Sequence, residues 1–363
     1  MKKLGLYIHI PFCLRKCPYC DFYSLKYNEE LKDLYISAVM SCIKHYANND
    51  KVVDSIFFGG GTPSLLSEKN VFQILETVDK NFCVSNAEIT MEANPSSATF
   101  EKLLGYRKSG INRLSFGVQS LNDFELSDLG RLHDSKTAIT AINNAIKAGF
   151  NNLSADLMLG ISRQTEESLI ESISALSCLD INHISAYMLS IEERTPYAKI
   201  KDSLFLPDEE KTADLYITTC NELEKYGFEQ YEISNFAKKG FESRHNLKYW
   251  QLEEYLGIGP AAHSFFSGKR SYYPRDIKSF IDGDFSMISD DTFNPSEEYV
   301  MLSLRLKRGL DLKVANKHGV DVENLLEKSQ RFIKQKLVIL DNGRLYLTKE
   351  GFLVSNYIIS ELI

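Results

Sequence analysis

The sequence predicts an α/β protein: a partial (βα)6, TIM-like barrel followed by a smaller C-terminal α+β domain of winged-helix type. Three observations predict it. Short apolar runs alternate with longer amphipathic segments over residues 4–236, the alternation stops near Lys238–Gly240, and the last stretch reads as helices followed by a hairpin. With 363 residues and 44% apolar content, the chain can bury a large core with room for a second unit.

Taken in order, the strands fall at 4–10, 54–58, 88–92, 113–119, 153–159 and 183–189. Helices fit between and after them at 29–46, 68–81, 99–109, 135–148, 166–179 and 208–226. Consecutive βα units of this kind favour a parallel sheet that curls, with chemistry at the C-terminal ends of its strands. Residues 1–237 are therefore expected to form the barrel and 238–295 an irregular connecting region. Residues 296–363 form the C-terminal unit, with helices at 296–306, 312–317, 322–336 and 349–362 and a hairpin turning at Asn342-Gly343.

Composition narrows the function. A net charge of -7 and a pI near 5.6 argue against broad nucleic-acid binding, which needs a surplus of Lys and Arg on one face. The opening MKKLGLYIHIPFC is too short and interrupted for a secretory segment. No run approaches the roughly 18 apolar residues of a membrane helix, so a cytoplasmic protein is expected. Seven cysteines, three of them in CLRKCPYC, fit a disulfide framework poorly and suggest a metal.

That triplet places Cys13, Cys17 and Cys20 directly after the first strand. Three thiolates from one loop can hold three irons of a cubane and leave the fourth iron open. Soft sulfur equally suits zinc or copper(I), so a zinc site completed by a residue such as His9, or free thiols, remains an alternative reading. The other cysteines, Cys42, Cys83, Cys178 and Cys220, lie in or beside helical segments and read as packing. After the second strand, FFGGGTPSLL lets backbone approach a ligand closely. Glu92, Gln119 and Asp156 put polar groups where a strand would bury apolar ones, at about 1–3 kcal/mol each unless partnered. Arg131, in LGRLHD, can pair with a carboxylate or with a surface acid.

The C-x3-C-x2-C spacing resembles the radical SAM superfamily, in which S-adenosylmethionine (SAM) binds the open iron of a 4Fe-4S cluster. GGGTP is similar to the segment of that superfamily that meets the methionine amino group. From LYIHIPFCLRKCPYC through SFGVQSLNDFELSDLGRLHD to LTKEGFLVSNYI, nearly the whole chain resembles the oxygen-independent coproporphyrinogen III oxidase-like family. The resemblance implies SAM contacts at Tyr7, Tyr19, Gly60, Gly61, Thr62, Glu92, Gln119, Arg131 and Asp156.

Within that family the oxidases carry a fourth cysteine two residues after the third, and an N-terminal extension. Here Phe22 stands at that position and twelve residues precede Cys13. HNLKYW, by contrast, is similar to the H-N-x-x-Y-W signature of the HemW-type haem chaperones. This resemblance implies haem binding by His245, Tyr249 and Trp250, on a loop that leaves the iron accessible. A His offers imidazole to iron and the aromatics offer a face to porphyrin, although the same residues often simply pack. It further implies transfer of haem to an acceptor protein, with a respiratory, membrane-associated acceptor and a homodimer in keeping with it. Nucleic acid is not an expected partner. The competing readings are a radical enzyme that decarboxylates coproporphyrinogen III and a zinc-stabilised regulatory protein. Catalytic residues are not identifiable, and His9, His133 and His263 stay open as second haem ligands or core residues.

Overall fold

The computed structural model describes residues 2–363. Six parallel strands stand side by side in sequence order: β1 (Lys2–Ile10), β2 (Asn48–Gly60), β3 (Phe82–Ala93), β4 (Arg113–Gln119), β5 (Leu153–Leu159) and β6 (His183–Met188). Helices α1 (Glu29–His45), α2 (Glu68–Asn81), α3 (Phe100–Ser109), α4 (Asp123–Asp128), α5 (Ser135–Lys147), α6 (Glu166–Ser177) and α7 (Glu209–Lys225) lie between and after them. Asn28, Ser67, Thr99, Asn122, Asp134, Thr165 and Asp208 each cap one by accepting a backbone N–H bond, so short polar residues fix where every helix starts.

The strand pattern is unusual in which face is apolar. Leu4, Leu6, Ile8 and Ile10 of β1, and Leu114, Phe116 and Val118 of β4, are fully buried in the main core. The alternate residues, Gly5, Tyr7 and His9, or Arg113, Ser115, Gly117 and Gln119, face the barrel interior. With period-two geometry, the core therefore sits between sheet and helices, and the interior is polar.

Residues 238–295 are more regular than the sequence suggests, because they extend the same sheet. Helix α8 (Arg244–Trp250) leads into β9 (Tyr255–Ile258), which pairs in parallel with β1 on its free side, Gly5 opposite Tyr255. Three antiparallel strands, His263–Phe266, Lys269–Tyr272 and Ile288–Ser289, continue outward from it. At the opposite edge β8 (Asn235–Ala237) and then β7 (Glu229–Glu232) follow β6, also antiparallel. The order is linear, so the barrel is partial.

The C-terminal unit has helices Pro295–Ser303, Leu312–Lys317 and Val322–Lys334, and a hairpin of Val338–Asp341 with Arg344–Leu347. Leu310–Asp311 adds a third strand. This is the expected α+β winged arrangement with one correction. The final helix is two, Lys349–Leu353 and Ser355–Leu362, interrupted at Val354. Among the described residues no helix is long and apolar enough to cross a membrane.

Candidate functional site

The loop after β1 is shaped by backbone bonds before any thiol is considered. Phe12–Cys13 runs parallel to Leu25–Lys26, Cys20 N–H donates to the Cys17 carbonyl at 3.1 Å, and Arg15 donates to the Gly130 carbonyl at 2.6 Å. The glycine run after β2 is stitched to the loop's base: Gly61 N–H donates to Ile10 O and Thr62 N–H to Phe12 O, each at 2.8 Å. A Cβ on Gly61 would lie 2.7 Å from both acceptors, so glycine there is required by close approach. The run thus positions the cysteine loop as well as lining the cavity beside it.

That cavity, about 390 Å3, opens at the C-terminal ends of the strands. Cys13, Cys17 and Cys20 stand on its wall with Tyr19, Gly60, Gly61, Thr62, Glu92, Gln119, Arg131 and Asp156. Thr62 Oγ1 and Arg131 reach Cys13 and Cys17 sulfurs, both at 3.5 Å. Burial pushes the Cys13 and Cys20 thiols up, partly offset for Cys13 by the Thr62 hydroxyl. Among the described residues no three His, Cys, Asp or Glu side chains converge on the position of a single metal ion.

Two carboxylates face this space. Burial, together with the charge of Asp156, pushes Glu92 up to about 8 against the Gly60 N–H bond it accepts at 3.1 Å. Burial also raises Asp156, opposed by bonds from Ser185 and Ser115 and by Arg113 and Arg131. Nε of Arg113 and Nε of Arg131 are buried with no partner. The wall therefore holds hydrogen-bonding capacity that the chain itself leaves unused, an arrangement that costs free energy until a ligand pairs with it.

Tyr7 is placed differently from the other expected contacts. Its ring stacks on Phe57, which lines the cavity, and its hydroxyl meets His9 Nδ1 at 3.1 Å, one layer behind the wall. His9 donates Nε2–H to the Tyr23 carbonyl at 2.9 Å, so both its nitrogens are engaged and neither completes a zinc site. Sequence reasoning missed Arg113, Ser115, Ser185 and Tyr187, all on this wall. Stepping by two from Gln119 and Asp156's neighbours along β4 and β6 reaches every one of them, which was the available signal.

The expectation of an accessible loop at HNLKYW is overturned. The segment is α8, started by Ser243 accepting from Asn246 N–H, and it plugs the interior near the N-terminal end of the barrel. His245 is fully buried. Its Nδ1 bonds Ser55 Oγ and its Nε2 bonds Tyr249 OH, both at 2.9 Å, and its ring stacks on Phe57 with centroids 5.3 Å apart. Burial, with Lys248 and Arg113 adding to it, lowers its pKa to about 3. Beside it Lys248 Nζ pairs with buried Asp54 at 2.8 Å. Gly5 makes room for the plug, since a Cβ there would stand 2.8 Å from Lys248 Cδ and 3.2 Å from His245 Cε1. Tyr249 and Trp250 are half-buried. The physical reason for the correction is valence: polar interior strands need partners, and this helix supplies them.

Residues 7–176 match the model of the Radical SAM superfamily, and residues 295–354 match the HemN C-terminal domain. A protein named Heme chaperone HemW from Bacillus subtilis is 36% identical, over 96% of this chain and 96% of that one. One of the same name from Lactococcus lactis is 32% identical over 100% of this chain and 98% of its own. The solved structure of coproporphyrinogen III oxidase (HemN) from Escherichia coli, described as a radical SAM enzyme, superposes with a TM-score of 0.87. It covers 99% of this chain and 90% of that one at 23% identity, a likeness of fold.

Proposed function

The chain belongs to the HemW family of the radical SAM superfamily, and from that we propose that it is a haem chaperone, binding haem and passing it to an acceptor protein. In this reading Cys13, Cys17 and Cys20 hold a 4Fe-4S cluster and SAM takes the open iron. The observation that carries the chaperone reading is the end-to-end likeness to proteins of that name, with Phe22 standing where the oxidases bear a further cysteine.

Membership of the superfamily implies the cluster and SAM, and the chemistry of the cavity suits them. SAM carries a carboxylate, an amino group and a sulfonium cation. Arg131, with a free Nε, suits the first, while the neighbouring half-buried carboxyl groups of Glu92 and Asp156 suit cationic and hydroxyl groups. Thiols held protonated by burial become thiolates when iron replaces their protons. When bound, the cluster and SAM would supply one-electron chemistry, and the residues of the cavity wall would hold and orient them.

For haem, His245, Tyr249 and Trp250 are retained as contacts of an opened state. His245 would have to exchange its bond to Ser55 or Tyr249 for iron, and until then it stays bonded within the barrel interior. The test is an anaerobic haemin titration of cluster-reconstituted protein followed by absorption, alongside His245→Ala. Saturable, stoichiometric binding is expected from the wild type. A wild type that binds no haem overturns the reading, and porphyrin production from coproporphyrinogen III then becomes the decisive assay. A respiratory, membrane-associated acceptor and a homodimer belong to the same proposal.

A further inference from the structure

The asparagine of HNLKYW has no part in the site described so far. Asn246 follows His245 on α8, and its half-buried side chain lines the cysteine cavity. Its backbone N–H is bonded to the Ser243 cap at 3.3 Å, and among the described residues its side-chain amide has no partner. Both ends of that amide, donor and acceptor, are therefore left to what enters the cavity.

Phe57 ties the same helix to the same wall. Its ring borders the cavity and stacks on His245, with centroids 5.3 Å apart, so the imidazole lies one ring behind the cavity. His245, Tyr249 and Trp250, the residues proposed to meet haem, thus share a helix of seven residues with one that walls the cofactor cavity. His245 reaches iron only by giving up a bond to Ser55 or Tyr249 and leaving the Phe57 ring. The backbone of a helix is hydrogen-bonded within itself, so a movement large enough for that carries Asn246 with it and opens the cavity wall.

We propose that Asn246 is a contact of SAM in the cavity, and that α8 sets the two ligands against each other: SAM holds the helix seated, and haem taken by His245 unseats it. The inference rests on the chaperone reading and on its assignment of SAM to this cavity. Linkage of this kind is reciprocal, so each ligand weakens the other by the same factor. Uptake of SAM then favours release of haem to the acceptor.

The test uses the cluster-reconstituted full chain under anaerobic conditions. Haemin is titrated by absorption with and without saturating SAM, SAM by calorimetry with and without haemin, and hydrogen exchange of the α8 amides is followed in each state. We expect SAM to weaken haem binding at least about fivefold, haemin to weaken SAM binding equally, and exchange in α8 to slow with SAM and quicken with haemin. Asn246→Ala, its folding checked by thermal melting, should bind SAM more weakly and lose most of the linkage. If that variant does not fold, the wild-type affinities and exchange rates decide. Haem affinity unchanged or raised by SAM overturns the inference and leaves the chaperone reading intact, as does full linkage in Asn246→Ala. A wild type that binds haem but no SAM overturns the inference together with the SAM assignment, and one that binds no haem overturns the chaperone reading as well.

Discussion

The two ends of the barrel interior are built from the same kinds of residue and end in opposite states. At the C-terminal mouth Glu92 and Asp156 face one another's charge, and two arginine Nε atoms lack partners. At the N-terminal end the plug helix pairs what it meets: His245 with Ser55 and Tyr249, Lys248 with Asp54 and Glu253. Residue type alone does not mark a site. What marks it is bonding capacity that the fold leaves unused, because an unpaired buried polar group destabilises the free chain and is tolerated where a ligand completes it.

The comparison breaks most visibly at the cysteines. Cys13→Ser, Cys17→Ser or Cys20→Ser should each reduce iron and sulfide incorporation on reconstitution to background while leaving the far-ultraviolet circular dichroism unchanged. Retention of a full cluster in any of them would remove the mouth's assignment. At the other end, Lys248→Met leaves Asp54 buried with only Lys3 and Arg244 nearby, each at 3.6 Å. We expect a loss of ~2–4 kcal/mol in urea unfolding, and a loss within error would mean that the plug is not structural.

A subtler contrast lies in pH. Glu92 titrates near 8 when folded against 4.5 ordinarily, so between those values the native state binds the extra proton and stability falls as pH rises. His245, lowered from 6.5 to about 3, acts in reverse: the unfolded chain takes up the proton, and stability is lost as pH falls below 6.5. Melting temperatures of SAM-free Glu92→Gln should therefore gain on wild type steadily from pH 5 to pH 8. Parallel curves would show that Glu92 is ionised throughout.

The sequence spoke most clearly where patterns are local. The strands at Arg113–Gln119 and Leu153–Leu159 and the helix Glu68–Asn81 coincide with their expected bounds, since apolar periodicity and a polar cap are both read within a few residues. It was least legible where partners are distant. β9 has four residues, Tyr255–Ile258, and is held in place by β1, far away in sequence. Helix α8 looked like a loop because its apolar contacts and its polar ones lie on residues such as Phe57, Ser55 and Glu88 of other strands. The cysteine triplet was readable as chemistry, but the burial of His245 was not, because hydrogen-bond valence is a property of three-dimensional neighbours. Val354, where the last helix breaks, gave no signal by residue type.

The pairing of β1 with β9 has a consequence for synthesis. Strand β1 acquires its neighbour on one side only when residue 258 has been made, on the order of ten seconds or more after it at about 5–20 residues per second. The cysteine loop emerges directly after β1, and the plug helix arrives just ahead of the strand that closes the side. For most of translation the thiols are therefore borne by a sheet with an open flank and an unfilled floor, so the order of manufacture separates exposure of the metal-binding loop from completion of the chamber behind it.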